Sequence, residues 1–220
     1  MKELIRRYAS ILEAFPLFRG LSEEKLLSAL TLMNASCRSY EKDETVSARD
    51  GSFSRFGLVL EGQIRVYSDD ADGTAFLMAS VGPGKSFGES LCILKRSSDV
   101  RALSAEDSRI LWLNPELPDK GKNDLAAELA ERFTLLLAER TLTMNRRIQI
   151  LARHSLRAKL LALLSEYGKA DGRPFTLPLS RQAMADYLGC DRSALSRELS
   201  RMKDDGLLDY HISVFRLMPQ

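Results

Sequence analysis

Short apolar runs separated by turn-forming residues dominate the chain between residues 57 and 113. Glycine and proline lie between these runs, as in Gly82-Pro83-Gly84, and such residues favour turns. Short strands at this spacing, with little helix between them, predict an antiparallel sandwich or roll. A helix is predicted before them, because Ser22 can cap it and Glu23 follows in its first turn. The predicted strands cover residues 57–60, 64–67, 75–79, 100–104 and 109–113.

The hydrophobic pattern changes to a helical period in the second half of the chain. No proline or glycine occurs from residue 123 to residue 151, and apolar positions recur three and four residues apart. The predicted helix is about 40 Å long, which favours pairing with a second copy through one stripe. Packing of that stripe against the chain's own sheet is the alternative. The stripe consists of Leu125, Leu129, Phe133, Leu136, Leu137, Met144, Ile148 and Leu151.

The segment from Ser180 to Leu199 predicts two short helices joined by a tight turn. Ser180 can cap the first helix, and the small Ala185 lets a second helix cross closely over it. Gly189 suits a turn that needs a positive φ angle, and Asp191 can cap the second helix. This arrangement is the pattern of a helix-turn-helix.

The second helix of this pair is predicted to have an apolar face and a basic, polar face. The polar face suits base edges and phosphates in a DNA major groove. Residues 207–210 and 214–217 are predicted to form a two-stranded wing. An ordinary helical pair with solvated arginines is the alternative. The apolar face comprises Ala194, Leu195, Leu199 and Met202, and the polar face comprises Arg192, Ser193, Ser196 and Arg197.

The composition narrows the class of protein. The 220 residues include 32 lysines and arginines against 30 acidic residues, which excludes a histone-like polycation. Cys37, Cys92 and Cys190 stand far apart, so no disulfide or metal framework is expected. No apolar run is long enough to span a membrane, and the first residues do not form a signal peptide. We therefore expect a cytoplasmic protein without membrane contact.

Several of these segments resemble the Crp–Fnr superfamily of bacterial transcription regulators. The matching segments are residues 15–22, 60–66, 84–90 and 180–199. The resemblance implies an α+β fold: an N-terminal antiparallel β-roll of the cyclic-nucleotide-binding, cupin-like jelly-roll type, a long dimerisation helix and a C-terminal winged helix-turn-helix. The corresponding domains are expected at residues 1–121, 122–151 and 152–220.

The resemblance also assigns DNA contacts. Arg197 matches the family arginine that reads a guanine through a bidentate contact. Ser193 stands where the family commonly has glutamate, and serine is too short to accept in the same way from a cytosine amine. We therefore expect an operator that departs from the family's best-known half-site. The base-reading positions are Arg192, Ser193, Ser196 and Arg197, and Arg181 and Gln182 are expected near the DNA backbone.

An effector site is implied at the end of the β-roll. In the family's cyclic-nucleotide binders, a glutamate binds the ribose hydroxyl and an Arg-Ser or Arg-Thr pair binds the cyclic phosphate. Arg96 follows Glu89 by only seven residues, fewer than the family spacing, so we expect an effector other than cyclic AMP. A solvated basic turn at Arg96 is the alternative. The predicted effector-binding residues are Gly88, Glu89, Arg96, Ser97 and Thr143.

The sequence lacks the residues that other sensing chemistries of the family require. An iron–sulfur cluster needs about four clustered cysteines, and haem needs a histidine or cysteine near the roll. Neither is expected, because His154 and His211 lie in or beside the DNA-binding region. Cys92, which lies between Glu89 and Arg96, is interpreted either as a buried small hydrophobe or as a redox or ligand contact. No cofactor is expected.

These observations predict a homodimeric, sequence-specific transcription regulator whose effector binds at the β-roll. Its expected partners are double-stranded DNA with two half-sites, a second copy of the chain and RNA polymerase. A cyclic-nucleotide-dependent regulatory or interaction module without a DNA role is the rival interpretation, and salt-dependent binding to duplex DNA separates the two. An enzyme is not expected, because no nucleophile–base pair, metal cluster or phosphate loop is visible.

Overall fold

A computed structural model describes residues 1–46, 53–69, 75–96, 100–117 and 123–219. The chain divides into two compact units, residues 1–137 and 138–220, and the division falls inside one long helix. Each unit has its own apolar core. The domain boundaries expected from the sequence, after residues 121 and 151, stay predictions.

The first unit contains two antiparallel sheets, and its helices precede, interrupt and follow the run of strands in the sequence. The capping prediction at Ser22 is confirmed, because its Oγ accepts a hydrogen bond of 3.3 Å from the Lys25 N–H. The helices are α1 (Lys2–Arg7), α2 (Ala9–Ala14), α3 (Glu23–Leu32), α4 (Glu89–Leu94) and α5 (Asp124–Leu151), and α5 continues into the second unit. The strands are β1 (Ser36–Tyr40), β2 (Phe56–Glu61), β3 (Ile64–Asp69), β4 (Ala75–Val81), β5 (Ser86–Phe87), β6 (Val100–Ser104) and β7 (Ser108–Leu113).

The two sheets confirm the predicted antiparallel roll. One sheet has the strand order β1-β7-β2-β5, and the other has the order β4-β3-β6. All pairs in them are antiparallel. Each of the five predicted strands is present. Strands β1 and β5 were not predicted, because β1 is largely exposed and β5 has only two residues, so neither contains an apolar run.

The turn between β2 and β3 requires glycine at position 62. Gly62 has a φ angle of +80°, and a Cβ atom there would overlap Ser108 Oγ and lie 2.5 Å from the Asp107 carbonyl oxygen. Ser108 Oγ is held in place, since it donates to the Glu106 carbonyl at 2.7 Å and accepts from the Gln63 N–H at 3.1 Å. A side chain at position 62 therefore has neither the backbone conformation nor the space that it needs.

The first half of α5 packs into the core of its own unit. Leu129 is fully buried, and Phe133 lies against Phe56 with ring centroids 5.2 Å apart. The prediction of one continuous stripe facing a second copy is wrong for this half, because these side chains contact helices and strands of the same unit. The buried residues of this half are Ala126, Leu129, Phe133 and Leu136, whereas the exposed large apolar residues of α5 are Leu135, Leu142, Met144 and Ile148.

The second unit is mainly helical and contains a three-stranded antiparallel sheet. Two serines cap its helices: Ser155 Oγ accepts from the Ala158 N–H, and Ser180 Oγ accepts from the Ala183 N–H, both at 3.1 Å. Its elements are α6 (Leu156–Ser165), β8 (Pro174–Thr176), α7 (Arg181–Leu188), α8 (Arg192–Asp204), β9 (Leu208–His211) and β10 (Val214–Leu217). The predicted wing is present as β9 and β10, and β8 adds a third strand that was not predicted.

Candidate nucleic-acid interface and effector region

Helices α7 and α8 form the predicted helix-turn-helix. Gly189 has a φ angle of +63°, and the Cys190 N–H donates to the Ala185 carbonyl at 3.0 Å, which closes the turn after α7. Ala185 is fully buried, as its small size predicted. Asp191 stands at the N-cap position of α8, but its side chain makes no capping hydrogen bond with the described residues. Asp191 therefore occupies the predicted N-cap position, but without a side-chain hydrogen bond to the helix.

The outer face of α8 carries the predicted base-reading residues. Leu195, Leu199 and Met202 are fully buried in the core of the second unit, and they fix the rotation of α8 about its axis. The helical period of about 3.6 residues leaves the opposite side in solvent. The predicted residues on that exposed side are Arg192, Ser193, Ser196 and Arg197.

Glu198, an acidic residue of α8, is directed away from this face. Glu198 accepts a hydrogen bond of 2.7 Å from Arg157 Nε on α6, and Arg157 also pairs with Asp205 at 2.6 Å. Within the described part of the chain, neither Arg192 nor Arg197 forms an ion pair with a carboxylate. The exposed face of α8 is therefore positive, and its guanidinium donors can reach phosphates and base edges.

Arg181 and Gln182 make contacts within the second unit. The Arg181 guanidinium donates to the Ile212 carbonyl at 3.0 Å and lies over the rings of Tyr210 and Phe215, at 4.9 Å and 5.0 Å. Burial lowers the pKa of Arg181. Gln182 donates to the carboxylate one turn further along α7 at 2.8 Å. Arg181 thus joins α7 to the wing, a role that the sequence did not predict, and the DNA backbone contacts of both residues stay predictions.

Arg147 of α5 contacts the end of α7, and the sequence analysis missed this contact. Its guanidinium donates to the carbonyl oxygens of Asp186 and Tyr187, both at 3.3 Å, and lies over the Tyr187 ring at 5.2 Å. Carbonyls in the last turn of a helix have no donors within that helix, so a cation there is stabilising. The signal in the sequence is an arginine that interrupts an apolar stripe. Arg147 connects α5 to the helix-turn-helix.

The start of α4 carries the predicted effector residues Gly88 and Glu89. Gly88 has a φ angle of +84° at the N-cap position, and Glu89 is 2% exposed. The Phe53 ring covers Gly88, since a Cβ atom there would lie 3.1 Å from it. Phe53 also contacts Phe87 and Trp112, with ring centroids 5.9 Å and 6.3 Å apart. The surroundings of Gly88 are therefore largely aromatic among the described residues.

Arg96, Ser97 and Thr143 complete the predicted effector site. Arg96 is exposed and lines a cleft that Glu89 does not line. Ser97 lies outside the described residues. Thr143 is exposed on α5 in the second unit, and its hydroxyl donates to the Glu139 carbonyl at 2.9 Å. The effector role of these three residues stays a prediction.

The cysteines and histidines bear on the sensing chemistry. Cys92 is 5% exposed, and burial raises the pKa of its thiol to about 11, which favours packing over a reactive thiolate. His154 and His211 are exposed. The described ranges contain no cluster of side chains suited to a metal ion. No helix in the part of the chain that the structure describes is long and apolar enough to cross a membrane.

The chain is similar to several known proteins. Residues 37–116 match the cyclic nucleotide-binding domain, and residues 156–217 match the Crp-like helix-turn-helix domain. The cyclic AMP receptor protein of Thermus thermophilus is 27% identical over 201 residues, which cover 88% of each chain. A Ruegeria pomeroyi protein proposed to bind cyclic nucleotides has a TM-score of 0.56 at 18% identity, with 97% of this chain and 93% of that chain covered. The c-di-GMP responsive global regulator CLP of Xanthomonas campestris has a TM-score of 0.55 at 20% identity, with 90% and 98% covered.

Proposed function

This chain belongs to the Crp–Fnr family of DNA-binding transcription regulators controlled by an effector, and from this premise we propose that it works as a homodimer that binds two DNA half-sites. The rival interpretation, a module without a DNA role, is not favoured, because residues 156–217 match the Crp-like helix-turn-helix domain. We further propose that it acts in the cytoplasm, contacts RNA polymerase and has a regulatory rather than a catalytic role.

The observation that carries the proposal is the exposed, positive face of α8. We propose that Arg197 and Arg192 reach base edges in the major groove, since a guanidinium matches the two acceptors of a guanine. Ser193 and Ser196 are short, so the backbone of α8 can approach the groove between the two arginines. All four side chains are exposed on the side of α8 that faces away from the core.

The homodimer is supported by apolar side chains that the second half of α5 leaves in solvent. Leu142, Met144 and Ile148 are 57%, 65% and 60% exposed. Met144 and Ile148 lie one helical turn apart, and their burial against a second copy contributes about 1.5–3 kcal/mol per side chain. A dimer presents two α8 helices to one duplex, which suits half-sites about 34 Å apart.

The effector is proposed to be a molecule other than cyclic AMP. A cyclic phosphate needs donors aligned with the group that binds the ribose. Glu89 is 2% exposed at the start of α4, whereas Arg96 lines a cleft that Glu89 does not line. The described residues therefore give little support to one site that holds ribose and phosphate together.

Salt-dependent binding to duplex DNA tests the proposed function. A duplex is first selected by the full chain from a random library, and its binding is followed by fluorescence anisotropy at increasing salt. We expect a steep loss of affinity with salt, and a loss of at least tenfold for the variant with Arg192→Ala and Arg197→Ala. Arg173→Ala is the matched control, because Arg173 is an exposed arginine of the same unit that pairs with Asp171 at 3.6 Å. Failure to enrich any duplex would refute the DNA role.

A further inference from the structure

A cleft of about 320 Å³ lies beside the C-terminal end of α4 in the first unit. Its floor is apolar, because it contains the Phe53 ring, which is 7% exposed, and the Cys92 side chain, which is 5% exposed. Its rim is polar and charged. The described lining consists of Phe53, Ser54, Cys92, Lys95, Arg96, Asn114 and Glu116.

The described rim has an excess of one positive charge. Lys95 Nζ and Glu116 Oε1 are 2.6 Å apart and form an ion pair. Arg96 is exposed, and its guanidinium forms no ion pair with a carboxylate of the described residues. An anion that enters the cleft therefore meets one guanidinium whose charge the described lining does not balance.

The floor of the cleft is suited to hydrocarbon. The Cys92 thiol is protonated at neutral pH, because burial raises its pKa to about 11, so it adds no negative charge. Phe53 is held edge-on against Phe87 and beside Trp112. A thiol and an aromatic ring offer few partners to the hydroxyls of a sugar, and unpaired polar groups are costly to bury. The volume is near the lower end of the range of about 300–1,000 Å³ for ligand pockets.

We propose that this cleft binds a small apolar monoanion, of the class of cyclic or aromatic carboxylates, with its hydrocarbon on Phe53 and Cys92 and its carboxylate paired with Arg96. Glu116 opposes binding, because it repels the incoming carboxylate and already occupies Lys95. The class of ligand follows from the lining alone. The further statement that this ligand is the effector rests on the proposed function.

Glu116 connects the cleft to the segment that precedes α5. Its N–H donates to Asn114 Oδ1 at 2.9 Å, and the Asn114 N–H donates to the Met33 carbonyl at 2.8 Å. The next residue, Leu117, is buried in the core of the first unit. A carboxylate bound at Arg96 repels the Glu116 side chain, which lines the same cleft, so binding bears on the contacts of the segment between β7 and α5.

A pair of matched ligands tests the proposal. Trp112 is the only tryptophan of the chain and lies beside Phe53, so its fluorescence reports on the floor of the cleft. The full chain is titrated with cyclohexanecarboxylate and with the neutral cyclohexanecarboxamide, neither of which absorbs where tryptophan does. We expect saturable binding, at least tenfold tighter for the carboxylate. Arg96→Gln should remove that preference, and Glu116→Gln should tighten carboxylate binding severalfold.

Arg38→Gln is the control for these variants. Arg38 pairs with Glu44 at 3.0 Å and lines a neighbouring cleft that also contains Phe53 and Trp112. The proposal is overturned by the absence of saturable binding, by equal affinity for acid and amide, or by a preference that Arg38→Gln removes and Arg96→Gln keeps.

DNA affinity is measured separately with and without the carboxylate. Binding that leaves DNA affinity unchanged refutes the effector role only, and failure to bind DNA refutes the proposed function but not the cleft.

Discussion

The guanidinium of Arg181, the first residue of α7, donates a hydrogen bond of 3.0 Å to the carbonyl of Ile212 in the turn between β9 and β10. Ile212 has a φ angle of +53° and is 76% exposed. A β-branched residue in this conformation is strained, and the contact with Arg181 helps to hold it. The bond therefore ties the turn of the wing to the first helix of the helix-turn-helix.

We predict that Arg181→Ala loosens the wing. Amide hydrogen exchange in β9 and β10 should become faster, because the variant loses both the hydrogen bond to Ile212 and the ring contacts. Arg181→Lys should restore this only in part, since an ammonium lacks the planar fork of the guanidinium. Gln182→Ala serves as the control. Normal exchange in Arg181→Ala, together with a salt slope of DNA binding reduced by about one unit, would instead identify a phosphate contact.

The buried half of α5 supports a stability prediction. Phe133→Ala removes the ring that packs against Phe56 at 5.2 Å and leaves a cavity in the core of the first unit. We expect the free energy of unfolding of this unit to fall by about 3–5 kcal/mol. Denaturant unfolding followed through Trp112 measures this change, because Trp112 lies in the same unit. A loss of dimer without loss of stability would show that Phe133 faces a second copy after all.

The exposed half of α5 supports a prediction about assembly. Met144 and Ile148 are mainly exposed within one chain, so a charge at either position does not enter its core. We predict that the double variant with Met144→Glu and Ile148→Glu sediments as a folded monomer, because two carboxylates would be buried at the proposed interface. Ser165→Glu, at an exposed position of α6, should leave the sedimentation unchanged. A double variant that remains a dimer would place the interface elsewhere.

The sequence predicted elements better than it predicted the partners of α5. Helical periodicity marked the helix correctly, but it cannot show which unit or copy covers each apolar residue. Phe133 and Met144 fall in one predicted stripe, yet Phe133 is 8% exposed and Met144 is 65% exposed. The difference depends on the position of strands and helices distant in sequence, which a local pattern does not contain.

The candidate DNA-binding face could be predicted from the sequence, because it depends only on spacing within one helix. Its four residues lie within one short helix, so the period of the helix and the position of Leu195 place them together. Arg181 and Arg147 behave differently, because their contacts with Ile212 and Tyr187 cross 31 and 40 residues of sequence. The sequence identified both as cations but could not identify their acceptors.

The separation of Glu89 and Arg96 leads to a prediction about cyclic AMP. We expect no heat of binding at micromolar cyclic AMP by titration calorimetry, because Arg96 lines a cleft that does not include Glu89. DNA affinity should likewise not change when cyclic AMP is added. Micromolar binding that disappears in both Glu89→Gln and Arg96→Ala would contradict this expectation and assign both residues to one nucleotide site.

The last prediction concerns Arg197, which is exposed on the side of α8 opposite Leu195 and Leu199. A guanidinium there can donate two parallel hydrogen bonds to the N7 and O6 atoms of one guanine. Arg197→Ala should therefore cost about 1–3 kcal/mol per half-site and relax the preference at one base pair in each half-site. Arg197→Lys keeps the charge, so its salt slope should remain while the base preference is lost.

Binding-site selection with both variants and the parent chain measures this effect directly. Arg173→Ala is selected in parallel, because it removes an arginine from the same unit without touching α8. A contact to a base changes the selected sequence, whereas a contact to a phosphate lowers the affinity for all sequences alike. If Arg197→Ala binds every duplex more weakly by the same factor and still selects the parent motif, then Arg197 does not read a base, and the assignment of α8 as the recognition helix is wrong.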